Sequence, residues 1–163
     1  MTKTLKTILV LTCASAVWAF QNNKSDISTQ QQQAIEKAVL KTHIQMTQAD
    51  NNLDVNEFFS YILDFNNKGL IIQDGRLFKT RKEAYEIVKT GFEGIAKLKR
   101  TYEQTHVTVI SPETALLTAQ GISTVTLTDG QTFNGPFAVS MVFVLRDGKW
   151  KVLHGHDSIP NAR

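Results

Sequence analysis

The spacing of hydrophobic positions changes along this chain from a helical repeat to a strand-like alternation. In the first hundred residues apolar side chains recur every three or four positions, as on one buried face of a helix. Three such runs follow residues that commonly cap helices, namely Ser28, Asp54 and Thr80. We therefore predict three helices that begin near these residues, the third with an apolar stripe that extends to Ile95.

Alternation of β-branched or aromatic residues with polar ones dominates the chain after Leu98. Four runs show this pattern, at residues 102–110, 115–127, 133–145 and 150–156. Turn-forming residues separate them, at 111–113, 129–130 and 147–148. The pattern predicts a four-stranded antiparallel meander. A further short hairpin is predicted between the second and third helices, where apolar residues flank Asp74 and Gly75.

The two central strands of this meander are each predicted to exceed a dozen residues, whereas strands commonly have about five or six. They contain Gly121 and Gly135, which favour bulges or bends. We therefore expect a strongly curved sheet that buries one face against the helices. The predicted fold class is a two-layer α+β domain with a pocket on the concave side of the sheet.

The first twenty residues have the features of a secretory signal peptide. Lys3 and Lys6 precede an apolar run of about eleven residues, which is shorter than the roughly twenty that span a bilayer. Small residues favour cleavage after Ala19 or, as the alternative, after Ala16. We therefore predict a leader at 1–19, a polar linker at 20–27, a domain at 28–160, secretion or export to the periplasm, and no stable membrane span after cleavage.

Composition narrows the function classes once this leader is removed. The 18 basic residues become 16 without Lys3 and Lys6, against 15 acidic ones, so the expected mature charge is +1 and nucleic-acid binding is not predicted. Cys13 is the single cysteine and lies in the leader, which excludes thiolate chemistry and disulfides from the predicted mature chain. Hydrophobic residues make up 42% of the sequence, enough for a packed core.

The last two predicted strands carry the most specific pattern, at residues 142–158: VFVLRDGKWKVLHGHDS. This hairpin, with its Asp-Gly turn, its Trp and its final His-x-Ser, resembles the SnoaL-like branch of the nuclear transport factor 2 and ketosteroid isomerase-like superfamily. The resemblance covers about residues 32–160 and implies a cone-shaped α+β fold of the predicted kind. Because such cones house many different activities, it implies the fold more directly than a reaction.

The resemblance also suggests a catalytic aspartate. In the ketosteroid isomerase relatives the general base is an aspartate from the region between the second and third helices, and Asp74 is the nearest match. The turn-forming preference of Asp before Gly75 explains the same residue without catalysis. We name Asp74 as one catalytic candidate.

Strand parity provides the other candidates. Alternation along the last strand places Trp150, Val152, His154 and His156 on one face, and the four residues between and after them on the other. His156 is a candidate for general acid–base catalysis, since imidazole suits proton transfer near neutral pH. The alternative is that both histidines are structural. The predicted ligand-binding residues are Tyr61, Asp64, Tyr102, His154 and Trp150. His154 and His156 could supply two metal ligands, but no third ligand has a diagnostic spacing, so neither a metal nor a cofactor is predicted.

Two hypotheses about function follow. The first is an exported protein that binds a small, largely apolar molecule in the cone, with or without acid–base turnover. The second is a non-catalytic interaction or dimerisation module whose cavity is filled by its own aromatic side chains. An open cavity of a few hundred cubic ångströms favours the first hypothesis. In either case we expect a homodimer formed through the sheet.

Overall fold

The computed structural model describes residues 27–64, 70–73 and 75–159 of the chain. The predicted signal peptide and Asp74 lie outside the described residues. The helices are α1 (Thr29–Asn51), α2 (Val55–Ser60) and α3 (Arg81–Glu93). The strands are β1 (Ile71–Gln73), β2 (Arg76–Phe78), β3 (Ile95–Ser111), β4 (Thr114–Leu127), β5 (Thr132–Arg146) and β6 (Lys149–Ser158).

All three helices begin where the cap residues predict. The side chains of Ser28, Asp54 and Thr80 each accept a hydrogen bond from the backbone N–H three residues later, which satisfies a donor that the helix itself leaves free. The end of α3 differs from the prediction. The helix stops at Glu93, and Ile95 opens β3 instead of closing the helical stripe.

The six strands form one mixed sheet in the order β2-β1-β6-β5-β4-β3. Strands β3 to β6 are the predicted antiparallel meander, and β1 and β2 are the predicted hairpin. The whole sheet is nevertheless mixed and not antiparallel throughout, because the hairpin joins the meander through a parallel pairing of β1 with β6. The alternation of residues within a strand could not predict this pairing. It depends on the path of the chain after α2, which runs alongside β6. A parallel bridge from Ile62 to Val152 marks this path.

The central strands of the sheet are long, and the pairing between strands is interrupted by register shifts. Strands β4 and β5 contain 14 and 15 residues, as their unbroken alternation predicts. The β3–β4 register shifts between Tyr102 and Gln104, and the β5–β6 register shifts where Val152 is followed by His154 as the next paired residue. Such bulges increase local twist and bend a strand.

Gly121 lies at the first of these irregularities, opposite Tyr102. A Cβ atom at Gly121 would lie 2.0 Å from the carbonyl oxygen of Thr101, so β3 approaches β4 too closely for any side chain here. This close approach explains the glycine in the middle of a long strand.

The core lies between the helices and the concave face of the sheet. Its largest fully buried side chains come from both layers: Phe59, Phe78, Phe143, Leu117, Val39 and Val152. This arrangement confirms the predicted two-layer α+β cone with helices on a curved sheet. Among the described residues no helix is both long enough and apolar enough to span a membrane.

Candidate active site

A cavity of about 460 Å³ lies between the helices and the concave face of the sheet. Most of its wall is apolar, with contributions from α1, α2, the β1–β2 hairpin, α3 and the sheet: Met46, Phe59, Phe78, Val88, Leu98 and Met141. Lining residues that are exposed, such as Ile87 on α3 and Arg76 on β2, mark the side that opens to solvent. The size and apolar lining suit a small organic molecule.

One part of this apolar wall is polar. Six residues meet there, and we call them the polar cluster: His43 and Asp50 from α1, Arg100 and Tyr102 from β3, Ser123 from β4 and Asp157 from β6. They converge because α1 packs across β3 and the sheet places β3 beside β4. Polar side chains in the core of a small domain are unusual unless they are paired or functional.

Arg100 is the centre of the polar cluster. Its Nη1 lies 2.8 Å from Oδ2 of Asp157, and its Nε lies 3.3 Å from Oδ2 of Asp50. Its guanidinium also stacks over the ring of Phe137, 5.0 Å from the ring centroid. Burial opposes the charge of Arg100, but the two carboxylates outweigh it and raise the pKa of the guanidinium. Arg100 therefore ties α1 to the last strand across the cavity wall.

Burial raises the pKa of Asp50, against the lowering effect of Arg100, and the charge of Asp157 adds to the rise. Asp50 and Asp157 thus share one cation. Because both carboxylates lie against the Arg100 guanidinium, its positive charge is already neutralised within the protein.

His43 is held against Tyr102 on the same wall. Their rings meet edge to face with centroids 4.5 Å apart, and only 4% of His43 is exposed. Burial lowers the pKa of His43 to about 4, so its imidazole is neutral at physiological pH. Burial also raises the pKa of Tyr102, which keeps the phenol protonated. The pair combines a neutral base with a hydroxyl donor.

Four polar atoms of the cluster are buried without a hydrogen-bond partner among the described residues: His43 Nε2, Arg100 Nε, Ser123 Oγ and Asp157 Oδ1. Arg100 Nε is compensated by its ion pair with Asp50. The other three retain unused hydrogen-bonding capacity in residues that line the cavity. Buried polar atoms are seldom left unpaired, and the exceptions often mark functional sites.

Of the residues predicted from sequence, Tyr102 and His156 line this cavity. Tyr102 belongs to the polar cluster, whereas His156 is exposed at the edge of the cavity. Asp74 lies outside the described residues, so its catalytic role stays a prediction.

The other predicted ligand-binding residues lie elsewhere. The hydroxyl of Tyr61 donates to the Glu57 carboxylate on the exposed side of α2, and Asp64 is exposed. Trp150 packs against the core without lining the cavity. His154 pairs with Val142, next to the pair of Met141 and Gly155 that lines the cavity, and so lies on the other face of the sheet.

The predicted parity of the last strand fails because of one bulge. Val152 pairs with Phe143 and His154 pairs with Val142, which leaves Leu153 unpaired between them. An extra residue reverses the faces of everything that follows. Gly155 and Asp157 therefore follow Val152 to the cavity side, His154 turns to the other face, and His156 reaches the cavity only at its exposed edge.

Sequence reasoning missed most of the polar cluster. His43 and Asp50 are spaced with Met46 along the apolar stripe of α1, and polar residues within such a stripe are the signal that identifies them. Arg100 lacks any such signal, because it follows two exposed lysines, Lys97 and Lys99, at the start of β3 and looks like a third solvated charge. Among the described residues no group of three or more His, Cys, Asp or Glu is arranged to hold a metal ion.

Solved structures with the same architecture include several cone-shaped proteins. One from Novosphingobium aromaticivorans, provisionally named a scytalone dehydratase, has a TM-score of 0.73 at 9% identity and covers 81% of this chain and 88% of that one. An NTF2-like superfamily protein from Salmonella enterica serovar Typhimurium has a TM-score of 0.70 at 14% identity, over 80% and 94% of the two chains. At these identities the likeness shows the fold, which is NTF2-like.

A third structure, from Streptomyces avermitilis and provisionally named a dehydratase of the NTF2-like family, has a TM-score of 0.67 at 16% identity. It covers 77% of this chain and 96% of that chain. No curated protein matches this chain. The family model of the SnoaL-like domain matches residues 39–162, and the chain belongs to that family.

Proposed function

We propose that this protein binds a small, largely apolar molecule in its cavity and transfers protons on it with its own side chains. The polar cluster within an otherwise apolar cavity is the observation that carries this proposal. An apolar pocket with a few convergent polar groups and perturbed pKa values is typical of a binding or catalytic site.

His43 is the proton acceptor in this proposal. Its imidazole stays neutral because burial lowers the pKa to about 4, and its Nε2 has no hydrogen-bond partner among the described residues. Since Nε2 is itself buried, ligand contact requires a small rotation of the ring towards the cavity. Tyr102, in edge-to-face contact with His43, supplies a hydroxyl that donates to the developing charge.

Arg100, Asp50 and Asp157 have a positioning role. The two ion pairs fix β3 relative to α1 and β6, which holds Tyr102 and His43 in place. His156, exposed at the edge of the cavity, is proposed as a secondary ligand contact.

Dehydration is the first reaction class to assay. Loss of water needs a base that removes a proton and an acid that protonates the leaving hydroxyl, and His43 and Tyr102 offer both functions. Two of the similar structures have provisional dehydratase names, which supports this choice. The open cavity favours this proposal over the non-catalytic module, whose cone would be filled by its own side chains.

Export and self-association complete the proposal. The leader pattern at residues 1–19 supports secretion or export to the periplasm. The outer face of the sheet, opposite the cavity, supports a homodimer.

Native mass spectrometry of protein purified from its source tests the binding step through retention of a small molecule. For that molecule, His43→Gln should leave binding within a few-fold and lower turnover by roughly 100- to 10,000-fold, the range of general acid–base groups. His106→Gln, an exposed histidine on β3, is the matched control and should retain full turnover. Full turnover in His43→Gln would show that His43 is not the base.

A further inference from the structure

We propose that the ligand is uncharged and carries a hydroxyl-type hydrogen-bond donor, and that the polar cluster selects it against carboxylates and other anions. This inference rests on the proposed function, because it names the chemistry of the molecule that the cavity takes. Two independent features of the polar cluster support it: its charge balance and the kind of hydrogen bonds it leaves unused.

The charge balance excludes a buried anion. Arg100 is the one cation of the cluster at neutral pH, and it already faces Asp50 at 3.3 Å and Asp157 at 2.8 Å. With both carboxylates ionised the cluster carries a net charge of −1, and with Asp50 protonated, the form that its raised pKa favours, the cluster is neutral. His43, packed on Tyr102, adds no positive charge at that pH. An anion placed here would be desolvated without a free cation to compensate it.

One of the atoms with unused hydrogen-bonding capacity, Asp157 Oδ1, requires a donor from the ligand. Asp157 Oδ1 is a carboxylate oxygen and can only accept, and a neutral imidazole can accept through Nε2. Ser123 Oγ can accept as well as donate. A ligand hydroxyl can donate to Asp157 Oδ1 and still accept from Ser123 Oγ. A carboxylate has no hydrogen to donate and would meet the lone pairs of Asp157.

The remaining ionisable lining residues do not change this balance. Among the described residues of the wall they are Arg76 and His156, both exposed. The Arg76 guanidinium lies 5.4 Å from the centroid of the Phe78 ring, at the solvent side. Exposed charges are screened, so Arg76 gives little attraction to an anion within the cavity.

A cationic amine is also disfavoured, in spite of the two carboxylates. An ammonium group close enough to Asp157 Oδ1 for a hydrogen bond would also lie near the Arg100 guanidinium, which shares the same carboxylate. The two cations would compete for one anion. An uncharged donor avoids this repulsion and the desolvation of a second charge.

Isothermal titration calorimetry at pH 7 with four two-ring probes tests the inference: naphthalene, 2-naphthol, 2-naphthoate and 2-naphthylmethylammonium. We expect 2-naphthol to bind about tenfold more tightly than naphthalene, the factor of one satisfied hydrogen bond. Both charged probes should bind more weakly than naphthalene. In Asp157→Asn the disadvantage of 2-naphthoate should shrink by about tenfold, because one negative charge is lost. Asp147→Asn, at an exposed turn, is the matched control and should keep the wild-type order.

The outcomes separate this inference from the proposed function. Binding of 2-naphthoate or of the ammonium probe as tight as that of 2-naphthol overturns the inference and leaves the proposed cavity site intact. Tight 2-naphthoate binding that is lost in Arg76→Gln overturns it too and assigns the anion to the cavity entrance. Failure of all four probes to bind overturns the proposed function together with the inference. The order of the four affinities for the wild-type protein is enough to accept or reject the inference, so the test does not depend on whether Asp157→Asn folds.

Discussion

The side-chain amide of Asn51 forms two hydrogen bonds with the backbone of Arg100. The N–H of Arg100 donates to Asn51 Oδ1 at 2.7 Å, and Asn51 Nδ2 donates to the Arg100 carbonyl oxygen at 3.3 Å. Arg100 lies on β3, which is an edge strand of the sheet. Asn51 therefore pairs with backbone groups that have no neighbouring strand on that side among the described residues. The last residue of α1 thus fixes the residue that holds Asp50 and Asp157 together.

Replacing Asn51 by Ala should therefore destabilise the fold and loosen the polar cluster. Two partly buried backbone groups would lose their partners, at a cost of about 1–3 kcal/mol. Urea unfolding should show this loss, and 2-naphthol should bind more weakly. Asn52→Ala changes the exposed neighbouring asparagine and should stay within about 0.5 kcal/mol of the wild type. Equal stabilities of the two variants would show that the contact with Arg100 contributes nothing.

Local signals in the sequence were enough to predict the elements of the fold. Each helix start depends on a cap residue and the backbone three positions later, and each turn depends on residues such as Asp147 and Gly148, which have the positive φ values of a tight turn. The parallel pairing of β1 with β6 joins segments about eighty residues apart, and neither segment alone contains a signal for it.

The candidate site was harder to predict, because a single unpaired residue decides which side chains face the cavity. Alternation predicted His154 and His156 there, but the bulge at Leu153 turns His154 away, leaves His156 at the exposed edge and brings Asp157 into the polar cluster. Nothing in the residues around Leu153 distinguishes a bulged strand from a regular one. The role of Arg100 could not be predicted either, because its partners Asp50 and Asp157 belong to elements that come together only in the folded chain.

Gly121 should not tolerate even a methyl group. In Gly121→Ala the new Cβ would lie 2.0 Å from the carbonyl oxygen of Thr101, a backbone atom that cannot move without disrupting the β3–β4 ladder. We expect a loss of at least about 3 kcal/mol or failure to fold. Gly135→Ala on the neighbouring strand is the control, because no atom lies within 4 Å of its Cβ position. Thermal melting of both variants checks the prediction, which a Gly121→Ala protein as stable as Gly135→Ala would refute.

Export can be tested directly on protein from the native host. The proposed leader should be removed, so N-terminal sequencing should begin at Phe20 or, for the alternative cleavage, at Val17. The protein should be recovered outside the cytosol. Full-length chain starting at Met1 in the cytosolic fraction would contradict the proposal.

A homodimer through the outer face of the sheet should respond to charge on that face. Thr118 is exposed on β4, between Leu117 and Ala119, whose side chains are buried in the core, and so points away from the cavity. Half-buried Leu116 and Ile122 share this outer face by alternation. Sedimentation equilibrium should give a dimer mass for the wild type and a shift to monomer for Thr118→Lys, which places like charges on both copies of one patch. Thr90→Lys, on the exposed side of α3, should remain dimeric. A wild-type monomer at micromolar concentrations would rule the proposal out.

The buried imidazole of His43 should make the stability of the protein depend on pH in a defined window. In the folded protein burial lowers its pKa to about 4 from 6.5. Between these values the unfolded chain binds more protons than the folded one, so stability rises with pH through the window. The contribution of His43 is complete above about pH 6.5 and is lost as the pH falls to about 4, and the shift corresponds to about 3 kcal/mol.

The variant His43→Gln cannot titrate and should lose this part of the pH dependence. Asp50 acts in the opposite sense, because its raised pKa costs stability as the pH rises, but both proteins carry it and the comparison isolates His43. Urea unfolding from pH 4 to 7.5 should therefore give a shallower slope for His43→Gln than for the wild type. His106→Gln, which changes an exposed histidine on β3, should keep the wild-type slope. If His43→Gln also keeps that slope, His43 is charged or solvated in the folded protein, and the neutral base on which the proposed proton transfer depends does not exist.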